Sequence, residues 1–310
     1  SGGLIGKRGI KRWISWFKLP VGISQSLCFL IRHKPDLVVG IGGYVSGPVV
    51  ASAWTLRIPI LIHEQNTIPG ITNKLLGRIA NKIAVSFKQS KLFFPQHKVV
   101  ETGNMIREEF CELNPEKHKD PNGKFNILVF GGSQGAHSIN MAVKDALDLL
   151  EADKSRLFFM HQTGKQDVES MKKYYAAKGF SADVRPFFHD MAEQYRKASL
   201  IICRAGATTL AEVTATGKVS ILIPFPFAAH NHQEKNARIL EEENAAEMIL
   251  NNQLTGETLA QSIRHGLEDP QRLKQMQQNS FKLGNRNATE KVKQLCLQLL
   301  KETNQMTTIS

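Results

Sequence analysis

The sequence predicts an α/β protein with two domains built on parallel β-sheets. Short apolar runs alternate with longer segments of helical period, which is typical of βα units. The runs are almost continuously apolar, as expected of strands that are covered on both faces. With 310 residues, the chain is long enough for two hydrophobic cores of ordinary size.

Eight apolar runs are predicted to be strands, three before residue 110 and five after residue 125. In chain order they are DLVVGI, PILIHE, NKIAVSF, NILVFGG, LFFMHQT, ADVRPFF, LIICRAG and VSILIPF. Between the two groups, residues 111–124 are rich in Lys, Asp, Pro, Asn and Gly and lack a period, which indicates a loop or linker. After Ile249 the chain is largely helical and ends in the amphipathic segment ATEKVKQLCLQLLKE, which we expect to pack back on the first half.

Composition excludes several classes of protein. No apolar run approaches the roughly 20 residues that span a bilayer. The four cysteines are far apart and include no C-x-x-C pair, so neither a disulfide framework nor a zinc site is indicated and a reducing cytoplasm fits best. The net charge of +12 favours a polyanionic partner, which leaves nucleic acid, an anionic membrane surface and a phosphorylated substrate open.

Three glycine-rich turns follow predicted strands. They are VVGIGGYVSGP, VFGGSQGA and CRAGATTLAE. Open α/β sheets bind ligands at the carboxyl ends of their strands, where these turns lie. Glycine lets a ligand approach the backbone closely, and the helix that follows each turn offers free N–H groups. Any one turn could simply be a tight βα connection, but three of them predict an anion site.

The loop GGSQG allows two interpretations of Ser133. The pattern G-x-S-x-G is the nucleophile turn of α/β-hydrolases, for which Asp190 and either His230 or His232 would complete a triad. The same loop would also hold a phosphate at a helix N-terminus. The hydrolase interpretation leaves CRAGATTLAE unexplained, whereas Glu212 at its end is placed to accept both hydroxyls of a ribose. The two loops would then hold a nucleoside diphosphate, although Glu212 is also compatible with a plain first-turn acid.

Two other nucleotide-binding patterns do not fit. The glycine spacing departs from G-x-G-x-x-G, and the next strand, LFFMHQTGK, ends without a carboxylate for a ribose, which argues against a dinucleotide dehydrogenase. The chain has no G-x-x-x-x-G-K-[ST], which argues against P-loop hydrolysis of a nucleoside triphosphate.

Five motifs, in order, resemble those of the MurG family of glycosyltransferases. They are GIGGYVSGP, HEQN followed by PGITNK, GN with Arg107, GGSQGA and RAGATTLAE, and the match runs through almost the whole chain. The resemblance implies a GT-B fold, in which two Rossmann-like domains with parallel sheets face each other across a cleft. It implies inverting transfer of N-acetylglucosamine from UDP-N-acetylglucosamine to lipid-linked N-acetylmuramyl-pentapeptide in peptidoglycan synthesis.

The resemblance also implies two domains with separate roles. Residues 1–106, completed by a C-terminal helix at 286–303, would form the acceptor and membrane domain, and residues 107–285 would bind the UDP-sugar. The implied substrate-binding residues are Asn66, Arg107, Ser133, Gln134, Gly135, Phe188, Ala207, Thr208, Glu212 and Gln233. Phe188 would lie near the uracil, Glu212 at the ribose, and Gln233 at the sugar hydroxyls together with Asn66. The family usually has Gln-Gln where this chain has His232-Gln233, which leaves the role of His232 open.

The catalytic base is the least defined part of the site. His63 and Glu64, at a strand end, are the candidates in this sequence, and bracing of the loop is an equal alternative. Family members begin with a GGTGGH loop that carries a further candidate histidine, and this sequence starts after that point, so a fragment or a truncated gene product is expected. There is no D-x-D to hold a divalent ion, so no metal or other cofactor is expected. Charge on the leaving diphosphate would fall on the N–H groups behind Gly135, assisted by Arg107.

The segment 7–19 predicts contact with a membrane surface. It interleaves Lys and Arg with Trp, Ile and Phe, the composition of an interfacial helix on anionic lipid, and a core-facing helix with a basic outer face is the alternative. An undecaprenyl-diphosphate-linked acceptor implies a peripheral enzyme at the cytoplasmic face of the bacterial plasma membrane, with no nucleic-acid partner. Two rival functions remain, namely a GT-B glycosyltransferase acting on another membrane lipid and an inactive membrane-bound partner of cell-wall synthesis.

Overall fold

The computed structural model describes residues 10–113 and 123–309. It divides into two compact units, one with the described residues up to Met105 and from Asn287 onward, and the other with Ile106–Arg286. Each unit has a parallel β-sheet flanked by helices, which confirms the predicted α/β class. Of the predicted linker, residues 114–122 lie outside the described residues.

The first unit has a four-stranded sheet in the order β1-β2-β3-β4. Its strands are β1 (Val38–Gly40), β2 (Ile60–Glu64), β3 (Lys82–Val85) and β4 (Val99–Glu101). Its helices are α1 (Ile10–His33), α2 (Gly43–Thr55), α3 (Ile71–Leu76) and the C-terminal α12 (Ala288–Ile309).

Alternating side chains of β2 supply two hydrophobic layers of the first unit. Ile60 and Ile62 join a buried cluster that includes Val50 of α2. Leu61, between them, faces the opposite side of the sheet and packs with Leu295 of α12. The C-terminal helix therefore covers one face of the first sheet, while α2 lies on the other.

The second unit has a six-stranded sheet in the order β10-β9-β8-β5-β6-β7. Its strands are β5 (Phe125–Phe130), β6 (Leu157–Gln162), β7 (Ser181–Arg185), β8 (Leu200–Cys203), β9 (Ser220–Leu222) and β10 (Ala246–Met248). Its helices are α4 (Glu108–Cys111), α5 (His137–Leu149), α6 (Val168–Lys178), α7 (Met191–Lys197), α8 (Ala207–Ala215), α9 (His232–Glu242), α10 (Gly256–Glu268) and α11 (Pro270–Leu283).

The strand order reverses between β5 and β8. The chain runs outward from β5 through β6 to β7, then returns to pair β8 with β5 on its other side. The loops that follow β5 and β8 therefore leave the sheet from the ends of neighbouring parallel strands. Such a switch point is where Rossmann-like sheets bind their ligands.

All eight predicted strands are present, but β4 and β10 were not predicted. Each has only three residues and lies at the edge of its sheet. Three residues are too few to show a period of two, and partly exposed edge strands lack the continuous apolar runs of the buried ones.

The predicted membrane segment 7–19 is not tested by the structure. Residues 7–9 and the side chains of residues 10–19 lie outside the described residues. Across the part of the chain that the structure describes, no helix combines the length and hydrophobicity that a bilayer crossing requires.

Candidate nucleotide-sugar site

The loop after β5, residues 131–136 (the β5 loop), exposes its tip and joins the sheet to α5. Gly135 has φ of +78°, and a Cβ there would overlap the carbonyl oxygen of Thr163, so this position requires glycine. Ser133 and Gln134 are exposed at the tip. The first intrahelical bond of α5 runs from Asn140 N to Ala136 O (3.0 Å), so the N–H groups before it are not used within the helix.

A cavity of about 590 Å³ opens beside the β5 loop. Its lining includes Gly131 and Gly135 of that loop, His137 at the start of α5, Arg204 after β8 and Gln233 of α9. This volume is in the range of small-molecule sites. The cavity therefore lies at the switch point between β5 and β8, against the amino end of α5.

Arg204, in the loop after β8, connects several segments around this cavity through hydrogen bonds. One guanidinium nitrogen donates to the carbonyl oxygens of Ile223 and Pro224 (both 3.1 Å) and to Asn251 Oδ1 (2.9 Å). The other donates to Ser138 Oγ (2.7 Å). Sequence reasoning gave Arg204 no role, although an arginine directly after a buried strand in a glycine loop was a usable signal.

Gln162, at the end of β6, was also missed by sequence reasoning. Its Nε2 donates to the carbonyl oxygen of Gly132 (2.9 Å), and its Oε1 accepts from the backbone N–H of Phe188 (2.8 Å). Gln162 therefore connects the β5 loop to the segment that was predicted to hold the uracil. The Phe188 side chain itself is buried, with the guanidinium of Arg185 5.1 Å from its ring centre.

Glu212 lies on α8, whose first residues are Ala207 and Thr208. Its carboxylate is largely buried, and its Oε1 is 3.4 Å from Arg107 Nη2. The other end of the Arg107 guanidinium is 2.9 Å from Glu109 Oε1. Burial raises the pKa of Glu212, and the charge of Arg107 partly offsets that rise. The structure thus brings Arg107 and Glu212 together as an ion pair in the second unit.

Gln233, the predicted sugar-binding residue of α9, lines the cavity. Its Oε1 accepts from the backbone N–H of Phe225 (2.9 Å), which fixes the orientation of the amide. The Nδ1 of the neighbouring His232 forms a local hydrogen bond with the carbonyl oxygen of Ala229 (2.7 Å).

In the first unit, His63 and Glu64 are fully buried at the end of β2. His63 Nε2 is 3.1 Å from the carbonyl oxygen of Gly103, and burial lowers the pKa of the ring, so it is neutral. Glu64 accepts from the backbone N–H of Asn66 (2.9 Å) and from Asn73 Nδ2 (2.7 Å), and burial raises its pKa. These contacts support the bracing interpretation. The catalytic role of the two residues stays a prediction.

The described residues give no support to a serine-hydrolase site. Asp190 accepts from Gln194 Nε2 (2.7 Å) and His232 is engaged with Ala229, so neither is bonded to Ser133. The side chain of His230 lies outside the described residues. Nor does the described part of the chain bring together three or more His, Cys, Asp or Glu side chains that could hold a metal ion.

Comparisons with known proteins agree with this geometry. The chain matches the glycosyltransferase family 28 N-terminal domain over residues 4–85 and the C-terminal domain of that family over residues 126–295. A UDP-N-acetylglucosamine–N-acetylmuramyl-(pentapeptide) pyrophosphoryl-undecaprenol N-acetylglucosamine transferase of Myxococcus xanthus (strain DK1622) is 46% identical over 301 residues, which cover 97% of this chain and 78% of the relative. The protein of the same name from Anaeromyxobacter dehalogenans (strain 2CP-C) is 45% identical, covering 96% and 78%.

A solved structure supports the same conclusion. The crystal structure of MurG from Acinetobacter baumannii has a TM-score of 0.76 and 34% identity to this chain, covering 94% of this chain and 81% of that one. Together with the two Rossmann-like units, this similarity confirms the GT-B class that the sequence predicted. The chain matches both domains of the family, and its relatives are well above 30% identical to it. It therefore belongs to glycosyltransferase family 28, within the MurG family.

Proposed function

We propose that this enzyme transfers N-acetylglucosamine from UDP-N-acetylglucosamine to the lipid-linked N-acetylmuramyl-pentapeptide of peptidoglycan synthesis. The observation that carries the proposal is the cavity at the switch point between β5 and β8, in a chain 46% identical to a relative that is named for this transfer. The cavity combines a glycine loop, a helix amino end and a half-buried arginine, which suit a nucleoside diphosphate.

The donor would bind mainly to the second unit. Its diphosphate would accept hydrogen bonds from the N–H groups of the β5 loop and the first turn of α5, with the hydroxyl of Ser133 as a further donor. Glu212 would accept the ribose hydroxyls, the segment at Phe188 would meet the uracil, and Gln233 would read the sugar. Two observations support these roles. Gln233 lines the cavity, and Gln162 forms hydrogen bonds both with the β5 loop, at Gly132, and with the segment at Phe188.

The reaction is a single displacement at the anomeric carbon. The acceptor hydroxyl oxygen forms the new glycosidic bond as the bond to the diphosphate oxygen breaks, and the configuration inverts. UDP leaves with the bonding electron pair, and the hydroxyl proton passes to a base. Preorganised N–H groups at the β5 loop would stabilise the developing charge on the diphosphate.

His63 remains the better of the two candidate bases. Glu64 is occupied by amide donors from Asn66 and Asn73, whereas His63 uses only Nε2. Its Nδ1 has no hydrogen-bond partner among the described residues and keeps a lone pair, but the atom is buried, so it acts as the base only if the bound acceptor reaches it. A neutral imidazole is the form that this role requires.

The first unit would carry the acceptor and contact the membrane. Segment 7–19 has the composition of an interfacial helix. Large apolar side chains are also exposed elsewhere in this unit, among them Val45 (67%), Trp54 (58%) and Leu75 (58%). They support contact with a membrane surface, which we place at the cytoplasmic face of the plasma membrane as part of the proposal.

The test is acceptor-dependent release of UDP from UDP-N-acetylglucosamine. We expect release with the undecaprenyl-diphosphate-linked N-acetylmuramyl-pentapeptide and none with diacylglycerol in the same detergent, because only the former offers the required sugar hydroxyl. Release with diacylglycerol alone would instead favour the rival lipid glycosyltransferase. Absence of release with either acceptor would contradict both enzyme assignments.

A further inference from the structure

His137 lines the cavity, yet none of the roles above uses it. It is the first residue of α5, and its side chain is 66% exposed. Its Nδ1 lies 3.1 and 3.0 Å from the two carboxylate oxygens of Asp167, the residue that precedes α6. Because Asp167 engages Nδ1, Nε2 is the ring nitrogen left to meet a ligand in the cavity.

Asp167 receives hydrogen bonds from a buried chain of polar groups. Asn140 donates through Nδ2 to Asp167 Oδ2 (2.7 Å) and to the carbonyl oxygen of Thr163 (2.9 Å), so its Oδ1 faces His161 Nε2 (3.0 Å) as an acceptor. His161 Nδ1, 3.1 Å from the hydroxyl of Tyr175, is then the acceptor of that hydroxyl. Each donor in the chain points one way, toward the Asp167 carboxylate.

This arrangement fixes the tautomer of His137. Burial alone raises the pKa of Asp167, but hydrogen bonds from Asn140 and His137 outweigh it, and the net shift is downward. An ionised carboxylate only accepts, so His137 Nδ1 carries a proton. In the neutral ring, Nε2 then presents a lone pair to the cavity, and a phosphate oxygen cannot bond to it.

We propose that His137 is a proton-linked ligand of the donor's diphosphate, taking up a proton at Nε2 from solvent as the diphosphate binds and donating that N–H to a phosphate oxygen. The inference rests on the proposed function, because it places the diphosphate in this cavity. The protonated ring would add one positive charge beside the β5 loop, and Asp167 would act as its positioning residue.

The other charged or titratable groups around His137 do not supply a switchable charge. Of the described residues lining the cavity, only Arg204 and His137 are charged or titratable, and Arg204 is committed to four acceptors. Burial lowers the pKa of His161 on β6 to about 3, so it stays neutral. Lys165 and Glu169, on either side of Asp167, are exposed, as are Lys172 and Lys173 of α6. On α10, Glu257, Arg264, His265 and Glu268 line a different cavity.

The test is calorimetric binding of UDP-N-acetylglucosamine, without acceptor, between about pH 5.5 and about pH 8.5. Each phosphate of this ligand carries one ester bond and the shared anhydride bond, so neither has the second ionisation near pH 6 of a terminal phosphate and the charge of the diphosphate stays constant. We expect affinity to fall about tenfold as the pH rises across this range, because binding takes up a proton. Paired buffers of different ionisation enthalpy should report net proton uptake near neutral pH.

Two variants and a control complete the test. His137→Gln should bind without pH dependence or proton uptake, and His265→Gln, an exposed histidine of α10, should behave like the wild type. Asp167→Asn can donate to Nδ1, which moves the ring proton to Nε2, so its binding should vary less with pH and persist at high pH. Melting temperatures will check that each variant is folded.

The outcomes separate this inference from the proposed function. Wild-type binding without proton uptake, or a pH dependence that survives in His137→Gln, would overturn the role of His137. An unchanged pH profile in Asp167→Asn would overturn the positioning role of Asp167. A wild-type protein that fails to bind UDP-N-acetylglucosamine at any pH would instead overturn the donor site itself.

Discussion

Two buried histidines, one in each unit, show how differently the two halves are organised. His63 lies on β2 of the first unit and His161 on β6 of the second, and both are fully buried. Burial lowers the pKa of both rings. Both ring nitrogens of His161 are bonded, to Tyr175 and Asn140, whereas Nδ1 of His63 has no partner within the described ranges.

The two rings differ in how much hydrogen-bonding capacity each has left. A buried imidazole with both nitrogens bonded has no capacity left for a proton and serves to orient its partners. A buried nitrogen without a partner costs about 1–3 kcal/mol and retains its lone pair. In the second unit the buried imidazole is therefore saturated with hydrogen bonds, while in the first unit His63 keeps a free lone pair and its catalytic role stays a prediction.

The largest test of this comparison replaces each histidine by leucine. His161→Leu leaves Asn140 Oδ1 and the Tyr175 hydroxyl unpaired, and should lower the free energy of unfolding by about 3–4 kcal/mol. His63→Leu leaves the carbonyl oxygen of Gly103 with the hydroxyl of Thr102 as a remaining donor (2.9 Å) and removes the orphan nitrogen, so its cost should be about 2 kcal/mol smaller. Urea unfolding of both variants measures the difference. Equal costs would contradict the claim that the two networks differ.

Acid should sharpen the same comparison. The pKa of His161 falls from 6.5 to about 3 in the folded protein, so between these values the unfolded chain binds a proton that the folded chain does not. Its contribution to stability is therefore lost as the pH falls below about 6.5. Compared with the wild type, His161→Leu should show a slope of unfolding free energy against pH that is smaller by about 1.4 kcal/mol per unit. Urea unfolding at about pH 6, 5 and 4 measures it, and parallel slopes would contradict it.

The sequence predicted the features that depend on neighbouring residues, namely the buried strands and the glycine loops. It did not predict contacts between residues far apart in the chain. Continuous apolar runs identify the buried strands, and a cluster of glycines identifies the β5 loop. Gln162, however, bonds to Gly132, 30 residues away, and Arg204 bonds to Asn251, 47 residues away. No spacing rule connects such pairs, because the sheet order brings them together.

The two buried glutamates extend the comparison to ligand binding. The bonds of Glu64 stay within its own turn and α3, while Glu212 pairs with Arg107 beside the proposed ribose site. We expect Glu212→Gln to weaken UDP binding about tenfold, since two charge-assisted hydrogen bonds become weaker neutral ones. Glu109→Gln, which removes only the exposed partner of Arg107, is the matched control and should bind UDP nearly as the wild type. Comparable losses in both variants would trace the effect to Arg107 rather than to the ribose.

The smallest expected effect concerns Ser133, at the exposed tip of the β5 loop. If the backbone N–H groups carry most of the contact with the diphosphate, Ser133→Ala removes one donor among several and should weaken UDP affinity about fivefold, the equivalent of about 1 kcal/mol. Ser133→Thr keeps a hydroxyl and should lose less. A nucleophilic serine predicts the opposite pattern, with turnover abolished and UDP affinity retained. Because the wild type, Ser133→Ala and Ser133→Thr differ only at the loop tip, measuring affinity and turnover for all three decides whether the preorganised second unit binds the donor or attacks it.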